Sequence, residues 1–175
     1  MSIVVRARRE ADRSDIEDIY ANEAVVRQGG QAPHRPEGFW PDFYKERHAL
    51  AELVAERDGK IVGHLGLVPS SSSPRMRHAA SFGISVHHDH HGQGVGSALM
   101  TEMVHLADDY LNLVRIELVC HTDNLAAIAL YEKFGFEHEG IARFDIFTGG
   151  KYMHGVRMAR INPNYLPMLG EDVPR

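Results

Sequence analysis

Val86-His87-His88-Asp89-His90-His91-Gly92-Gln93-Gly94-Val95-Gly96-Ser97 joins an extended run to a helix, and the fold hinges on this junction. Upstream, Met76 to Val86 reads as a strand, ending in Phe82, Ile84 and Val86 at a period of two. Downstream, Val95, Leu99, Met103, Leu106 and Tyr110 form one apolar stripe at helical spacing. Glycines between them let the backbone approach a ligand closely, and the unpaired N–H groups and dipole of a helix start favour an anion such as a pyrophosphate. A tight strand-to-helix connection that binds nothing is the plain alternative. Two other phosphate motifs fail here. A Walker loop ends in Gly-Lys-Ser/Thr, whereas Gly96-Ser97 has no lysine. A dinucleotide fingerprint follows the first strand of a βαβ unit, and the strands preceding this turn pair by hairpins.

Working outward, Ile3 to Arg8 reads as a strand, followed by a helix capped at Asp12 or Ser14 with Ile16, Ile19 and Tyr20 on its apolar face. Gln28 to Pro41, rich in glycine and proline, predicts a loop, with a short helix from Phe43 to His48 beyond it. Leu50 to Glu56 and Lys60 to Val68 form a hairpin turning at Asp58-Gly59. After the helix that starts near Val95 come a strand from Val114 to Cys120, a helix from Asn124 to Phe134 that stops near Gly135, and a hairpin turning at Gly149-Gly150. The expectation is one domain over residues 1–161 and a proline-containing C-terminal tail over 162–175.

The 175 residues are 43% hydrophobic and 25% charged, the balance of an ordinary globular domain. A net charge of −5 gives no general attraction to nucleic acid or anionic lipid, so neither is expected as a partner. Cys120 is the single cysteine, which excludes an internal disulfide and suits the cytoplasm. No apolar run is long enough to span a bilayer. His87, His88, His90 and His91 are possible metal ligands, but they crowd one turn without a cysteine pattern, and no metal site is expected from them.

His91-x-x-Gly94-x-Gly96, followed by Asn124, Ala127, Tyr131, Gly135 and Phe136, resembles the two signature segments of the GNAT (Gcn5-related) N-acetyltransferases. The order of elements over residues 3 to 160 is similar to theirs. Gln31-Ala32-Pro33-His34, Val62-Gly63-His64 and Arg115-Ile116-Glu117-Leu118 resemble the bacterial L-amino acid N-acetyltransferase group. The resemblance implies an α/β (α+β) fold with a central, mixed, mostly antiparallel sheet of six to seven strands. About four helices would flank it, and its fourth and fifth strands would splay apart. It further implies an acetyl-CoA-dependent transferase acting directly on a small-molecule amine, with no metal, and a homodimer by family habit. A protein N-terminal or lysine acetyltransferase and a non-catalytic acyl-CoA sensor are the competing readings.

By the same resemblance, the pantetheine arm would lie along Ile84, Ser85 and Val86 like an added strand. The diphosphate would sit on His91, Gly92, Gln93, Gly94, Val95, Gly96 and Ser97. The family's usual Arg or Gln is replaced by His91, which offers fewer donors. Asn124 and Tyr131, two helical turns apart, would face the arm, with Tyr131 donating a proton to the leaving thiolate. Packing against Phe134 and Phe136 is the alternative role for Tyr131, and helix capping for Asn124. No acid stands on the strand before the turn, so the base falls first to Glu117, then to His64 or His78. Gln31, Pro33, His34 and His64 are candidates to bind the acceptor. Phe39, Trp40 and Tyr44 either line that pocket or form an aromatic core.

Overall fold

The computed structural model describes residues 2–168. Among them, β1 (Val4–Ala7), β2 (Ala51–Arg57), β3 (Lys60–Pro69), β4 (Ala79–Val86), β5 (Arg115–His121), β6 (Glu137–Thr148) and β7 (Lys151–Ile161) form one sheet in the order β1-β2-β3-β4-β5-β7-β6. Five helices accompany it: α1 (Arg13–Ala21), α2 (Glu23–Gln28), α3 (Phe39–Glu46), α4 (Val95–Asp109) and α5 (Leu125–Lys133). The expected mixed, mostly antiparallel architecture is present. β4 and β5 make its parallel pair, and every other pairing is antiparallel.

Local chemistry explains both hairpins. Asp58 and Gly59 have φ of 52° and 79°, and Gly149 and Gly150 have 56° and 77°, positive at both central positions as a tight two-residue hairpin turn demands. β3 is buried on both faces, which matches its nearly continuous apolar run. A bulge in the β2–β3 ladder at Ala55/Glu56 switches which residues face which layer. Val62, Leu65 and Leu67 therefore pack with α4, while Ile61 and Val68 pack with α1 and α3.

The sheet thus separates two cores. The larger one joins β2–β5 and β7 to Val95, Leu99, Met100, Met103 and Ala107 of α4 and to Tyr131 of α5. The smaller one joins Ile16 and Ile19 of α1, Val25 of α2, and Trp40 and Tyr44 of α3 to the opposite face. Tyr110, expected at the end of the α4 stripe, is instead exposed beyond the helix.

Three further boundaries differ from the sequence expectation. Within the predicted loop, α3 begins at Phe39, because a proline in the first turn of a helix removes no intrahelical hydrogen bond. Six-residue α2 is too short to show a periodic pattern, and Asn22 caps it by accepting from the Ala24 N–H at 2.9 Å. Asn162, the first residue of the expected tail, is 2% exposed and ties both its backbone N–H and its side-chain amide to the carbonyls of Val114 and Leu113. Residues 169–175 of that tail lie outside the described residues. No helix among the described residues is long and apolar enough to cross a membrane.

Candidate active site

β4 and β5 pair only at Ala79–Arg115, Ala80–Ile116 and Ser81–Glu117, and then part. Among the described residues, no strand lies beside the β5-facing edge of β4 from Phe82 onward, and this edge runs directly into the glycine-rich turn. Gly92 and Gly94 hold φ of +70° and +85°, and a Cβ built on either would meet nothing within 4 Å. These glycines are required by backbone conformation and leave open space above the turn. Gly94 caps α4, and the first bond inside the helix runs from the Ala98 N–H to its carbonyl. The N–H groups of Val95, Gly96 and Ser97 therefore have no partner within the helix. No acidic side chain stands in that first turn to oppose an anion.

Side chains around the turn are already committed. His91 donates from Nε2 to the Val86 carbonyl at 2.9 Å, tying the turn to the end of β4. Gln93 donates to the Asp89 carbonyl at 2.8 Å and accepts from Arg57. Lys133 of α5 brings its Nζ to within 3.4 Å of the Ser97 hydroxyl. Arg57 and Lys133 are cations that no sequence motif singled out. The tip of the β2–β3 hairpin and the end of α5 carry them to the turn from distant parts of the chain.

The two faces of β4 present different chemistry. Phe82, Ile84 and Val86 point into the larger core, where Tyr131 meets Phe82 edge-on at 5.6 Å between ring centroids. Tyr131 is 8% exposed, and burial pushes its phenol well above the usual tyrosine range, so it keeps its proton. Cys120 lies in the same core, its thiol pushed up to about 11 by burial, which leaves it an inert thiol rather than a nucleophile. Asn124 uses its side-chain oxygen to cap α5, accepting from the Ala127 N–H at 3.2 Å.

The opposite face carries Gly83 and Ser85 and opens on a cavity of about 880 Å³. Its walls include Tyr20, Trp40, Phe43 and Tyr44, and Gln31, Pro33 and His34 form its rim, alongside the β4 residues Ile84 and Ser85. Tyr20 stacks on Trp40 at 3.6 Å between centroids. Behind Tyr20 stands His64, 0% exposed, with Nδ1 at 3.1 Å from the Tyr20 hydroxyl and Nε2 at 3.1 Å from Glu52 Oε1.

Residues 9–136 match the acetyltransferase (GNAT) family. The chain belongs to that family. An L-amino acid N-acetyltransferase of Escherichia coli K12, AaaT, is 38% identical over 159 residues, covering 91% of this chain and 98% of its own. A spermidine N(1)-acetyltransferase of the same strain is 30% identical, covering 94% and 89%. Among solved structures, a phosphinothricin acetyltransferase of the GNAT superfamily from Sinorhizobium meliloti, in complex with acetyl-CoA, superposes with a TM-score of 0.84 at 21% identity, over 99% of this chain and 96% of its own. A spermidine N-acetyltransferase from Vibrio cholerae, solved with CoA and spermine, superposes with a TM-score of 0.81 at 24% identity, over 94% and 98%.

Within this GNAT chain the candidate residues fall into three groups. Ile84, Ser85, Val86 and the turn from His91 to Ser97 form one continuous path from split strand to helix start. Gln31, Pro33 and His34 gather at the cavity, and the aromatics Trp40 and Tyr44 serve both as lining and as core. Glu117 and His64 stand elsewhere. Glu117 pairs with Arg115 at 2.9 Å in an ion cluster shared with Glu139, at the point where β4 and β5 are still joined, and does not line the cavity. His64 is sealed behind Tyr20, so any effect on an acceptor passes through that phenol. His78 is exposed before the start of β4. In the sequence, Tyr20 reads as part of the apolar face of α1. The available signal was His64 itself, because a histidine within a strand buried on both faces requires polar partners.

Proposed function

We propose that this GNAT acetyltransferase moves an acetyl group from acetyl-CoA to the primary amine of a free amino acid. The observation that carries this reading is the meeting, on β4, of the aromatic cavity with an unpaired strand edge that leads to an open anion-binding turn. The residues fit acetyl-CoA. The Val95–Ser97 N–H groups, with Lys133 and Arg57 nearby, suit a diphosphate, and the free edge of β4 suits an amide-bearing arm. Bound there, acetyl-CoA would supply an activated acyl carbon and a thiolate leaving group. A backbone N–H on the split part of β4 would stabilise negative charge on the acyl oxygen. Tyr131 holds a proton in an apolar setting, which suits donation to the departing sulfur, and the Asn124 amide nitrogen is left to orient the arm.

Charge around the cavity favours an amino acid over a polyamine, the acceptor of the spermidine relatives. Three carboxylates line it, Glu17, Glu23 and Glu37, but Arg13 pairs with Glu17 at 3.2 Å and with Glu37 at 3.4 Å. Arg35 lies at the same rim, hydrogen-bonded to Gln31 at 2.7 Å, and offers an α-carboxylate its partner. The test is CoA-thiol release with the proteinogenic amino acids, polyamines and peptides as acceptors. Release with amino acids, and a raised KM for them in Arg35→Ala, is the expected result. Release with polyamines or peptides alone overturns the assignment.

We also assign the protein to the cytoplasm, in keeping with its single buried thiol, and propose a homodimer. Ile141, Phe144, Phe147 and Tyr152 expose large apolar surfaces on the β6–β7 hairpin, which suits burial against a second copy. Sedimentation of the purified chain as a monomer at micromolar concentration would refute the dimer.

A further inference from the structure

An acceptor amine arrives as an ammonium and must lose a proton before it attacks. The carboxylates that line the cavity are poorly suited to take it. Glu17 accepts from the Gly38 N–H at 2.9 Å and pairs with Arg13, while Glu23 and Glu37 are exposed at the rim. What does reach inward is a polar chain of residues far apart in sequence. Tyr20 of α1 contacts His64 of β3, which contacts Glu52 of β2, and Arg8 holds the same Glu52 oxygen at 3.0 Å. The Glu52 carboxylate can only accept, so His64 carries its proton on Nε2 and presents a bare Nδ1 to the Tyr20 O–H.

We infer that Tyr20 is a catalytic residue of this site, taking a proton from the acceptor ammonium on its hydroxyl oxygen while passing its own to His64. This rests on the amine-acetylation reading above. In the step, an N–H bond of the ammonium breaks as an O–H bond forms on Tyr20. The original Tyr20 O–H bond breaks as an N–H bond forms on His64 Nδ1, leaving an imidazolium beside the Glu52 carboxylate. Tyr20 itself stays neutral. Its phenol is pushed up to about 12 by burial, which outweighs the opposing pull of the nearby Ser85 and Tyr44 hydroxyls, so a relay is favoured over a standing phenolate.

The placement matches the task. Ser85 is the register partner of His64 and lines the cavity with Tyr20, so the relay opens beside the part of β4 where the acyl group is proposed to lie. The groups packed around His64 are Tyr20 from α1, Tyr44 from α3 edge-on at 5.2 Å, Glu52 from β2 with Arg8 behind it, and Ser85 across the ladder on β4.

The decisive variant is Tyr20→Phe, which keeps the ring stacked on Trp40 and removes only the hydroxyl. With acetyl-CoA and the proteinogenic amino acids as acceptors, kcat/KM at pH 7 is expected to fall about 100-fold. That deficit should shrink as pH rises through the amine's own titration, because the amine then arrives already neutral, and acetyl-CoA affinity should be unchanged. Glu52→Gln should show a smaller deficit with the same pH trend. A Tyr20→Phe enzyme with unaltered activity, or with a deficit that does not change with pH, overturns the relay while leaving the transferase intact. A wild-type protein that releases no thiol with any amine overturns the transferase reading, and the relay with it.

Discussion

Two tyrosines flank β4 from opposite faces, and their surroundings differ in kind. Tyr131 sits among Phe82, Phe136 and Cys120, while Tyr20 is bonded into a histidine, a carboxylate and an arginine that lead away from the cavity. Burial raises both phenols. A raised phenol in an apolar pocket can only hold a proton and give it up, whereas one hydrogen-bonded to a bare imidazole nitrogen can also move a proton onward. The same side chain can therefore serve opposite ends of one transfer, with the roles set by what lies behind each ring.

The largest expected effect breaks the apolar side. Tyr131→Phe removes the proposed proton donor without changing the packing, and kcat should drop about 1,000-fold. Acetyl-CoA affinity in a direct titration should remain within about twofold, since an interaction made only in the transition state lowers kcat and kcat/KM together. If kcat is retained, Tyr131 is a packing residue and the contrast with Tyr20 disappears.

Next in size is a pair of glycine substitutions that separates shape from backbone conformation. A Cβ at Gly66 would fall 1.9 Å from Tyr44 Cε1, so Gly66→Ala must displace the ring that supports His64 and the cavity wall. Overpacking of this kind should cost about 3 kcal/mol in denaturant unfolding. Gly92→Ala meets open space and loses only the ease of a left-handed φ, costing about 1.5 kcal/mol, with its main effect on acetyl-CoA binding. Equal destabilisation by the two would mean that the acceptor wall is no more tightly packed than the turn.

Acid should loosen the acceptor side first. Asp12, 5% exposed before α1, accepts from Arg6 at 2.8 Å on both oxygens, and this holds its carboxyl below the ordinary value of 3.8. Because folding favours the ionised form, its contribution is complete above 3.8 and is lost as pH falls through the lower folded value. Asp12→Asn should therefore cost about 1.5 kcal/mol at neutral pH and flatten the stability decline below pH 4. An unchanged acid limb would show that Asp12 does not anchor the helix that carries Tyr20.

The two sides were unequally legible in the sequence for the same reason that they differ chemically. The turn and its flanking strand and helix declare themselves within a dozen residues, through glycines, period-two alternation and a helical stripe. The relay is assembled from Arg8, Tyr20, Glu52 and His64, of which His64 alone stands out in the sequence, while the other three read locally as ordinary strand or helix residues. Glu117 drew attention because its motif neighbourhood is recognisable. Arg115 beside it on the same strand, two residues away, neutralises it instead. α2 was hidden because a six-residue helix gives no periodic signal, and the proline-bearing start of α3 at Phe39 was placed at Phe43 instead, although these two helices and the loop between them line most of the cavity.

The smallest expected effect concerns the turn's one departure from its family pattern. His91 donates its Nε2–H to the Val86 carbonyl, and a neutral imidazole has no second N–H to offer. At this position the wild-type side chain therefore braces the turn against β4 and adds no donor to a diphosphate, so in the proposed site the anion would fall to the backbone N–H groups and Lys133. Arginine has five donors, enough to keep the Val86 contact and still reach outward, and its charge does not depend on pH. His91→Arg should tighten acetyl-CoA binding about fivefold, close to 1 kcal/mol, measured by calorimetry at neutral pH. The gain should fade with added salt, as an exposed charge contact does. A loss of affinity would mean that the brace to Val86 matters more than any donor gained, and that the turn owes its shape to the histidine.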